Sequence, residues 1–249
     1  MDERILRELE RLPVARLYGL AAAPARAQAV PVEAAAAPVE AASPPVEHAR
    51  RAPDSPPHEA PPGIATMDWE ALRQAVRECR RCVLCERRTQ AVFGVGNESA
   101  PWLFVGEGPG ADEDEKGEPF VGQAGKLLDG MLAAMKLRRG REVYIANVVK
   151  CRPPGNRVPA PEEAAACAAF LDRQIELLAP KIIVALGKTA ATRLTGSEAS
   201  LASLRGRVHA YRGIPLVITY HPAYLLRNLP DKAKAWEDLL LAGRVLAGA

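Results

Sequence analysis

Four short apolar runs, rich in β-branched residues, recur along the second part of the chain. The runs are WLFVG (102–106), VYIANVV (143–149), KIIVAL (181–186) and PLVITY (215–220). Runs of this length without a polar alternation are typical of strands that are buried on both faces. They therefore predict the strands of a central sheet.

Helical periodicity occupies the segments around these strands. Apolar side chains recur at three- and four-residue steps in an amphipathic stretch that ends at the first cysteine: Trp69, Leu72, Val76 and Cys79. Further helices are predicted over residues 123–136, 161–179, 188–195 and 231–247. Strands that alternate with helices predict the α/β class, here a three-layer α/β/α sandwich with a mostly parallel central sheet. The loops at the carboxyl ends of its strands would form the functional site.

The first 66 residues differ in composition from the rest of the chain. Residues 21–66 consist mostly of Ala, Pro, Val and Glu and hold ten of the 22 prolines. Such a segment cannot bury enough apolar surface to offset the entropy of ordering it, so we predict a disordered linker. Residues 1–20 are predicted to form a short amphipathic helix, which either docks on a protein partner or frays in isolation. The folded domain is predicted at 67–249.

Composition and charge narrow the classes of protein. The 249 residues are 48% hydrophobic, which is enough for a core, and 33 basic against 30 acidic residues leave a net charge of +3. Any affinity for DNA must therefore come from local clusters of charge. No apolar run is long enough to span a membrane, and the segment MDERILRELERL does not resemble a signal peptide. We expect a cytoplasmic monomer without a membrane interaction.

The five cysteines are Cys79, Cys82, Cys85, Cys151 and Cys167. Three of them lie within seven residues, and an odd count in a reducing compartment favours metal or cluster ligation over disulfides. The CxxC pair Cys79 and Cys82, together with Cys151 and Cys167, offers four thiolates that suit either zinc or a [4Fe–4S] cluster. Spacing leaves both alternatives open. Cys85 is either a surplus thiol or a substitute for one of the first two ligands.

A glycine-rich segment, GEGPGADEDEKGEPFVGQAG (106–125), directly follows the first predicted strand. Its glycines allow the backbone to approach a ligand closely, and a helix start near Gly122 offers free N–H groups. The spacing departs from the dinucleotide-binding pattern because Pro109 interrupts the turn. The acidic run 112–115 is predicted to be a solvated loop. A metal-dependent nuclease would need carboxylates from several elements, which the sequence does not offer.

Two polar residues stand at the ends of predicted strands. The amide of Asn147 can match the N3–H and O4 edge of uracil and mismatch the amino group of cytosine, or it can pair with a neighbouring loop. His221 begins the segment HPAYLLR (221–227) and either stabilises negative charge on a leaving group or only starts a helix. The apolar side chains after it suit a wedge into a base stack, and its arginine suits a phosphate.

Taken together, four separated motifs resemble the family 4 uracil-DNA glycosylases over roughly residues 75–245. The motifs are GEGPG, PFVG, YIANVVKCRPPGNRVP and HPAYLLR, in this order with the cysteines. The resemblance implies an α/β/α sandwich that removes uracil from single- or double-stranded DNA in base excision repair and leaves an abasic site. It also implies a [4Fe–4S] cluster, which resolves the choice against zinc, on the ligands Cys79, Cys82, Cys151 and Cys167.

The resemblance also implies a role for each candidate residue of the pocket. Glu107 would orient or activate the attacking water, and His221 would donate to uracil O2 as the glycosidic bond breaks. Phe120 would stack on the flipped base while Asn147 reads its edge. The uracil-binding residues implied are Gly108, Phe120, Asn147 and Asn156.

The same resemblance implies contacts with DNA outside the pocket. Leu225 or Leu226 would fill the gap left in the duplex, and Arg227 would meet a phosphate. Basic residues around the cysteines would either contact phosphates or form a plain solvated face: Arg80, Arg81, Arg87, Arg88 and Lys150. The alternative function is a non-catalytic iron–sulfur protein that binds DNA or senses redox state on the same fold. The presence of Glu107, Asn147 and His221 together speaks against it, because a pure binder has no need of all three.

Overall fold

One six-stranded sheet forms the centre of the protein, with the strand order β1-β3-β2-β4-β6-β5. The structure is a computed structural model and describes residues 63–248. The strands are β1 Val95–Gly96, β2 Trp102–Gly106, β3 Val143–Asn147, β4 Ile182–Leu186, β5 Val208–Tyr211 and β6 Ile214–Thr219. The helices are α1 Trp69–Glu78, α2 Ala111–Lys116, α3 Gln123–Ala134, α4 Pro161–Leu178, α5 Lys188–Thr195, α6 Leu201–Leu204, α7 Pro222–Leu225 and α8 Asp231–Ala247.

The four central strands correspond to the four apolar runs and are parallel to one another. β3 pairs with β2, β2 with β4, and β4 with β6, all in parallel register. Two short antiparallel strands, β1 and β5, close the edges and were not predicted. β1 has only two residues, and two of the four residues of β5 are exposed, so neither produces a continuous apolar run. The prediction of a mostly parallel sheet is confirmed.

Helices cover both faces of the sheet and make three layers. Leu103 and Val105 point to the face covered by α1, α4 and α5, whereas Trp102 and Phe104 point to the face covered by α3 and α8. Successive side chains of a strand point to opposite faces, so a strand buried on both sides needs apolar residues at every position. The predicted α/β/α sandwich is confirmed.

The acidic run 112–115, which follows β2, is a helix and not the solvated loop that was predicted. Helix α2 begins after Gly110, and the buried side chain of Asp114 accepts hydrogen bonds from the backbone N–H of Thr89 through both carboxylate oxygens, at 3.0 Å each. A buried carboxylate without such donors would be costly. The partner lies 25 positions away in the sequence, so the run by itself did not indicate burial.

The described fold begins earlier than the predicted boundary at Met67. A 3₁₀ turn spans Ile64–Thr66, and Ile64 is buried against the core. Residues 63–66 therefore belong to the packed unit and not to the linker predicted over 21–66. The predicted N-terminal helix and the rest of that linker lie outside the described residues. Within residues 63–248, no helix is both long and apolar enough to cross a membrane.

Candidate functional site

A cavity of about 540 Å³ opens at the carboxyl ends of the parallel strands. Residues that directly follow β2, β4 and β6, and the last residue of β3, meet there because parallel strands end at the same edge of a sheet. Tyr224, in α7, also lines it. Most of the residues that the sequence singled out line this cavity: Glu107, Gly108, Phe120, Asn147, Asn156, His221 and Arg227.

The amide of Asn147 is buried in the wall of the cavity with an unused acceptor. The side chain is 2% exposed, and its Oδ1 has no hydrogen-bond partner among the described residues. A Cβ at Gly106 would lie 2.4 Å from Oδ1 and 2.6 Å from the ring of Phe120, so this position requires glycine. A buried polar atom without a partner is unfavourable unless a ligand supplies one.

Phe120 lies in the left-handed region of backbone conformation, with φ of 56°. Arg139 holds it there by donating to the carbonyl oxygens of Pro119 at 2.7 Å and of Phe120 at 2.8 Å. Gly125 leaves room for the loop, because a Cβ there would lie only 1.8 Å from the Phe120 oxygen. The centre of the Phe120 ring is 5.4 Å from that of His221. A non-glycine residue at positive φ at a site is typical of a position fixed for function.

The sequence reasoning missed Glu113, whose carboxylate joins the two loops of the glycine-rich segment. Its Oε2 accepts from the N–H of Gly110 at 3.0 Å, and its Oε1 accepts from Val121 at 2.9 Å and from Gly122 at 3.0 Å. The signal was available, since a glutamate at the third position of a helix commonly caps the helix start. Glu113 therefore fixes the loop of Glu107 relative to the loop of Phe120.

The carboxylate of Glu107 lies in the cavity directly after β2. Thr189, in the first turn of α5, donates a short hydrogen bond from its hydroxyl to Glu107 Oε2, and this partner was also missed. The backbone of the loop is held because the N–H of Val149 donates to the Glu107 carbonyl at 3.1 Å. A Cβ at the neighbouring Gly108 would lie 2.7 Å from the Val149 side chain. One oxygen of Glu107 is thus fixed while the group faces the cavity.

His221 caps the short helix α7 through its own ring. Its Nδ1 accepts from the backbone N–H of Ala223 at 3.1 Å, so a neutral ring carries its proton on Nε2. Burial lowers the pKa of His221 from 6.5 to about 4; the carboxylate of Glu113 raises it and Arg227 lowers it, both to a smaller extent. The imidazole is therefore neutral at pH 7 and offers one N–H donor to the cavity.

The two leucines after His221 differ in accessibility, which corrects one expectation. Leu225 is 0% exposed and packs in the core under α7, whereas Leu226 is 42% exposed. Leu225 therefore has no surface with which to enter a base stack, and of the pair Leu226 remains. Asn156 is exposed at the cavity, with φ of 56°, and its Oδ1 accepts from Arg152 at 2.7 Å.

A second, smaller pocket brings together four of the five cysteines. Cys79, Cys82, Cys151 and Cys167 line it, from the end of α1, the loop after β3 and helix α4, and Cys85 does not. Burial raises the pKa of the Cys151 thiol to about 11 and that of Cys167 to about 12. Within residues 63–248, no group of three or more His, Cys, Asp or Glu side chains is arranged as in a metal site.

Two of the basic residues near the cysteines point inward, contrary to the expected phosphate contacts. Lys150 is 1% exposed and donates to the Asn147 carbonyl at 2.9 Å and to Gln174 Oε1 at 2.6 Å. Arg88 donates to Cys151 Sγ at 2.9 Å. Arg81 lies over the ring of Phe170 and also lines the cysteine pocket.

Of the basic residues near the cysteines, Arg80 and Arg87 are exposed. A long basic side chain is turned inward wherever distant segments offer buried acceptors, as Gln174 and Cys151 do for Lys150 and Arg88. Of the five cations suggested for phosphates, Arg80 and Arg87 therefore keep an exposed side chain.

Comparison with known proteins places this geometry in a family. Residues 93–240 match the family model of the uracil DNA glycosylase superfamily. The Type-4 uracil-DNA glycosylase of Thermotoga maritima is 50% identical over 167 residues, which cover 66% of this chain and 86% of that protein. The Type-4 enzyme of Archaeoglobus fulgidus is 47% identical over 168 residues, covering 63% and 84%.

A Type-5 uracil-DNA glycosylase of Thermus thermophilus is 32% identical over 197 residues, which cover 62% of this chain and 87% of that protein. The match to the Type-4 proteins is thus higher in identity over a similar share of the chain. The resemblance that the motifs indicated is confirmed. The chain belongs to the uracil-DNA glycosylase superfamily and, within it, to the Type-4 uracil-DNA glycosylases.

Proposed function

We propose that this chain removes uracil from DNA by hydrolysing the N-glycosidic bond of a flipped-out deoxyuridine, which releases uracil and leaves an abasic site. The observation that carries the proposal is the buried Oδ1 of Asn147 in the cavity wall, which has no hydrogen-bond partner within residues 63–248. The names of the related proteins support the same activity. In the cell, this reaction begins base excision repair, and we infer that it takes place in the cytoplasm.

Asn147 and Phe120 select the base. The amide oxygen of Asn147 accepts from uracil N3–H, and its NH₂ group donates to O4. Cytosine presents an unprotonated N3 and an amino group at these positions, so both contacts would become mismatches. Phe120 provides an apolar face on which the flipped base stacks. Asn156 closes the opening of the cavity from the loop after β3, and the bare backbone of Gly108 leaves room for the base.

Glu107 and His221 carry out the hydrolysis. As the bond from C1′ to N1 breaks, its electron pair goes to the uracil ring, and negative charge develops on O2. The neutral imidazole of His221 donates a hydrogen bond from its Nε2–H to that oxygen and keeps its proton. Glu107 orients a water whose oxygen forms the new bond to C1′, and the carboxylate takes up the water proton. Loss of one such donor costs on the order of 10²–10³ in rate at comparable sites.

Leu226 and Arg227 contact the DNA beside the pocket. Extrusion of a base costs a few kcal/mol, and the cost is lower for a mismatched pair such as G·U. The exposed side chain of Leu226 can occupy the space that the base leaves, while Arg227 binds a phosphate. Both residues follow His221 by only a few positions, so base extrusion and leaving-group stabilisation depend on one segment.

We propose that the thiols of Cys79, Cys82, Cys151 and Cys167 would hold a [4Fe–4S] cluster. The four cysteines line one pocket, and four thiolates from separate segments suit such a cluster. Arg88, at 2.9 Å from Cys151 Sγ, offsets thiolate charge. Such a cluster would tie α1 to the loop after β3 and to α4, and no step of the hydrolysis requires it.

Metal analysis tests the cluster directly. The protein purified without oxygen should contain iron and acid-labile sulfide in equal amounts, with the visible absorbance of an iron–sulfur chromophore. Cys151→Ser should lose the iron and the absorbance, and the matched variant Cys85→Ser should keep both. Zinc in place of iron, or loss of the cluster in Cys85→Ser as in Cys151→Ser, would contradict this ligand set.

The glycosylase activity is tested with labelled oligonucleotides that carry one uracil, incubated in EDTA and then treated with alkali. We expect strand cleavage at the uracil only after alkali, and a Glu107→Gln, His221→Asn double variant should abolish it. Cleavage that EDTA prevents would indicate a metal-dependent nuclease instead. A protein with its cluster intact that binds the DNA and leaves uracil in place would support the binding or sensing alternative.

A further inference from the structure

Two exposed apolar side chains are sequence neighbours of arginines that line the cavity. Leu226 precedes Arg227, and Val158, which is 62% exposed, follows Arg157. No role has been given so far to Val158. Isolated apolar residues on a surface need no explanation by themselves, but Val158 is held outward by its loop.

The loop that carries Val158 is fixed from several directions. Arg157 forms two hydrogen bonds with the buried carboxylate of Glu163, at 2.8 and 2.6 Å, and a third with the Val158 carbonyl at 3.0 Å. Glu163 in turn accepts from the N–H of Ala160 at 2.8 Å. Proline follows Val158 directly. The fold therefore holds an apolar, β-branched side chain out in solvent, on a backbone with little freedom to withdraw it.

The loops that carry Val158 and Leu226 begin at two separated strands of the sheet. Val158 belongs to the loop after β3 and Leu226 to the segment after β6, and β2 and β4 lie between these two strands. Three strand spacings correspond to about 14 Å. On one strand of DNA, this distance is about four base steps. A nucleotide that enters the cavity would thus have one exposed apolar side chain on each side of it.

We propose that Val158 is a second apolar contact to duplex DNA, which packs against the bases on the side of the flipped nucleotide opposite to Leu226. This inference rests on the proposed function, because it assumes that a nucleotide enters the cavity. Two contacts, on loops whose strands are about 14 Å apart, hold the flanking base pairs in a bent, partly unstacked arrangement, and the energy of their burial offsets the cost of extrusion. A single-stranded substrate has no flanking base pairs to unstack, so the contact by Val158 should matter only for duplex DNA.

The test compares excision from matched double- and single-stranded substrates. Val158→Ala should lower kcat/KM on the duplex by about tenfold, the effect expected from losing one buried valine contact, and change it less than twofold on the single strand. Val158→Thr keeps the shape of the side chain and should show a similar duplex defect. Val208→Ala, at an exposed valine of β5 away from the cavity, is the matched control and should be unchanged.

A second measurement locates the contact. 2-Aminopurine placed on either side of the uracil reports unstacking through its fluorescence. Val158→Ala should remove the increase on one side, and Leu226→Ala on the other. Equal excision of the duplex by Val158→Ala and the native protein, or an equal loss on both substrates, would overturn the inference. If the native protein excises no uracil, the proposed function has failed, and Val158→Ala is then judged by its affinity for the same duplex.

Discussion

The side chains of the pocket acquire their chemistry from their surroundings. An imidazole in water has a pKa near neutrality, whereas burial lowers that of His221 to about 4, and its Nδ1 is already occupied by the Ala223 N–H. An amide in water has no preference for one base, but Asn147 is buried with its acceptor unpaired. The sequence identified both residues as candidates. It did not predict the lowered pKa of His221 or the burial of the Asn147 amide.

Replacing Asn147 by aspartate should reduce uracil excision on the order of 10²-fold in kcat/KM. The carboxylate loses the donor for O4, and it would place a charge where the side chain is 2% exposed. The ratio of cytosine to uracil excision should rise at the same time. Asn97→Asp makes the same change at an exposed position and should leave both rates unchanged. Unchanged uracil kinetics in Asn147→Asp would mean that Asn147 does not take part in recognising the base.

The state of His221 predicts a constant protonation over the neutral range. Burial lowers the pKa of His221 from 6.5 to about 4, so the folded state favours the neutral ring. The contribution of His221 to folding stability is therefore fully present above pH 6.5 and is lost as the pH falls towards 4. Long-range ¹H–¹⁵N spectra should show the Nε2–H tautomer without a titration from about pH 5 to 8. His221→Asn assigns the signal by its loss. A midpoint near 6.5 would contradict the assignment.

Loops at the ends of the strands, held by contacts within and between them, form the site. The Phe120 loop depends on Arg139, on Gly125 and on the Glu113 carboxylate, which lies in the neighbouring helix α2. Parallel strands end at one edge of the sheet, so these loops are adjacent although more than a hundred residues separate some of them in the sequence. The elements were predictable from hydrophobic periodicity, and the contacts that fix the loops were not.

Two glycines of helix α3 offer a matched comparison. A Cβ at Gly125 would meet the Phe120 carbonyl at 1.8 Å, so Gly125→Ala must displace the loop, and we expect at least a tenfold loss of excision together with lower stability. Gly130 has open space, and Gly130→Ala should raise the free energy of unfolding by about 0.5–1 kcal/mol with unchanged activity. Urea unfolding and excision rates measure both. Equal behaviour of the two variants would contradict the packing described for Gly125.

At the scale of the whole molecule, the described residues form one sandwich that contains both the cavity and the cysteine pocket. Lys150 lies between the two sites, since it lines the cysteine pocket and donates to the Asn147 carbonyl. The packed unit begins by Gly63, with Ile64 in the core. The predicted division of the chain into a helix, a linker and a catalytic domain remains a proposal, as does the monomeric state.

Deletion of residues 1–62 tests that division. Because both candidate sites lie within residues 63–248, the shortened chain should keep its cluster and excise uracil from short duplexes at a rate within about twofold of the full chain. Thermal unfolding of the two proteins, followed by circular dichroism, checks that the domain is folded. A large loss of activity with the fold intact would mean that the first 62 residues take part in the catalytic unit.

The sequence by itself determined the layer architecture, the central strands, the motif order that marks the family and most of the residues that line the cavity. Period and composition suffice for these because every position of a doubly buried strand must be apolar. The tertiary structure alone decided which side chains turn inward. Lys150, Arg88 and Asp114 do so among the charged residues, and Leu225 does so while its neighbour Leu226 stays exposed. The burial of each of these side chains depends on contacts with distant segments of the chain, and such contacts cannot be predicted from the local sequence pattern.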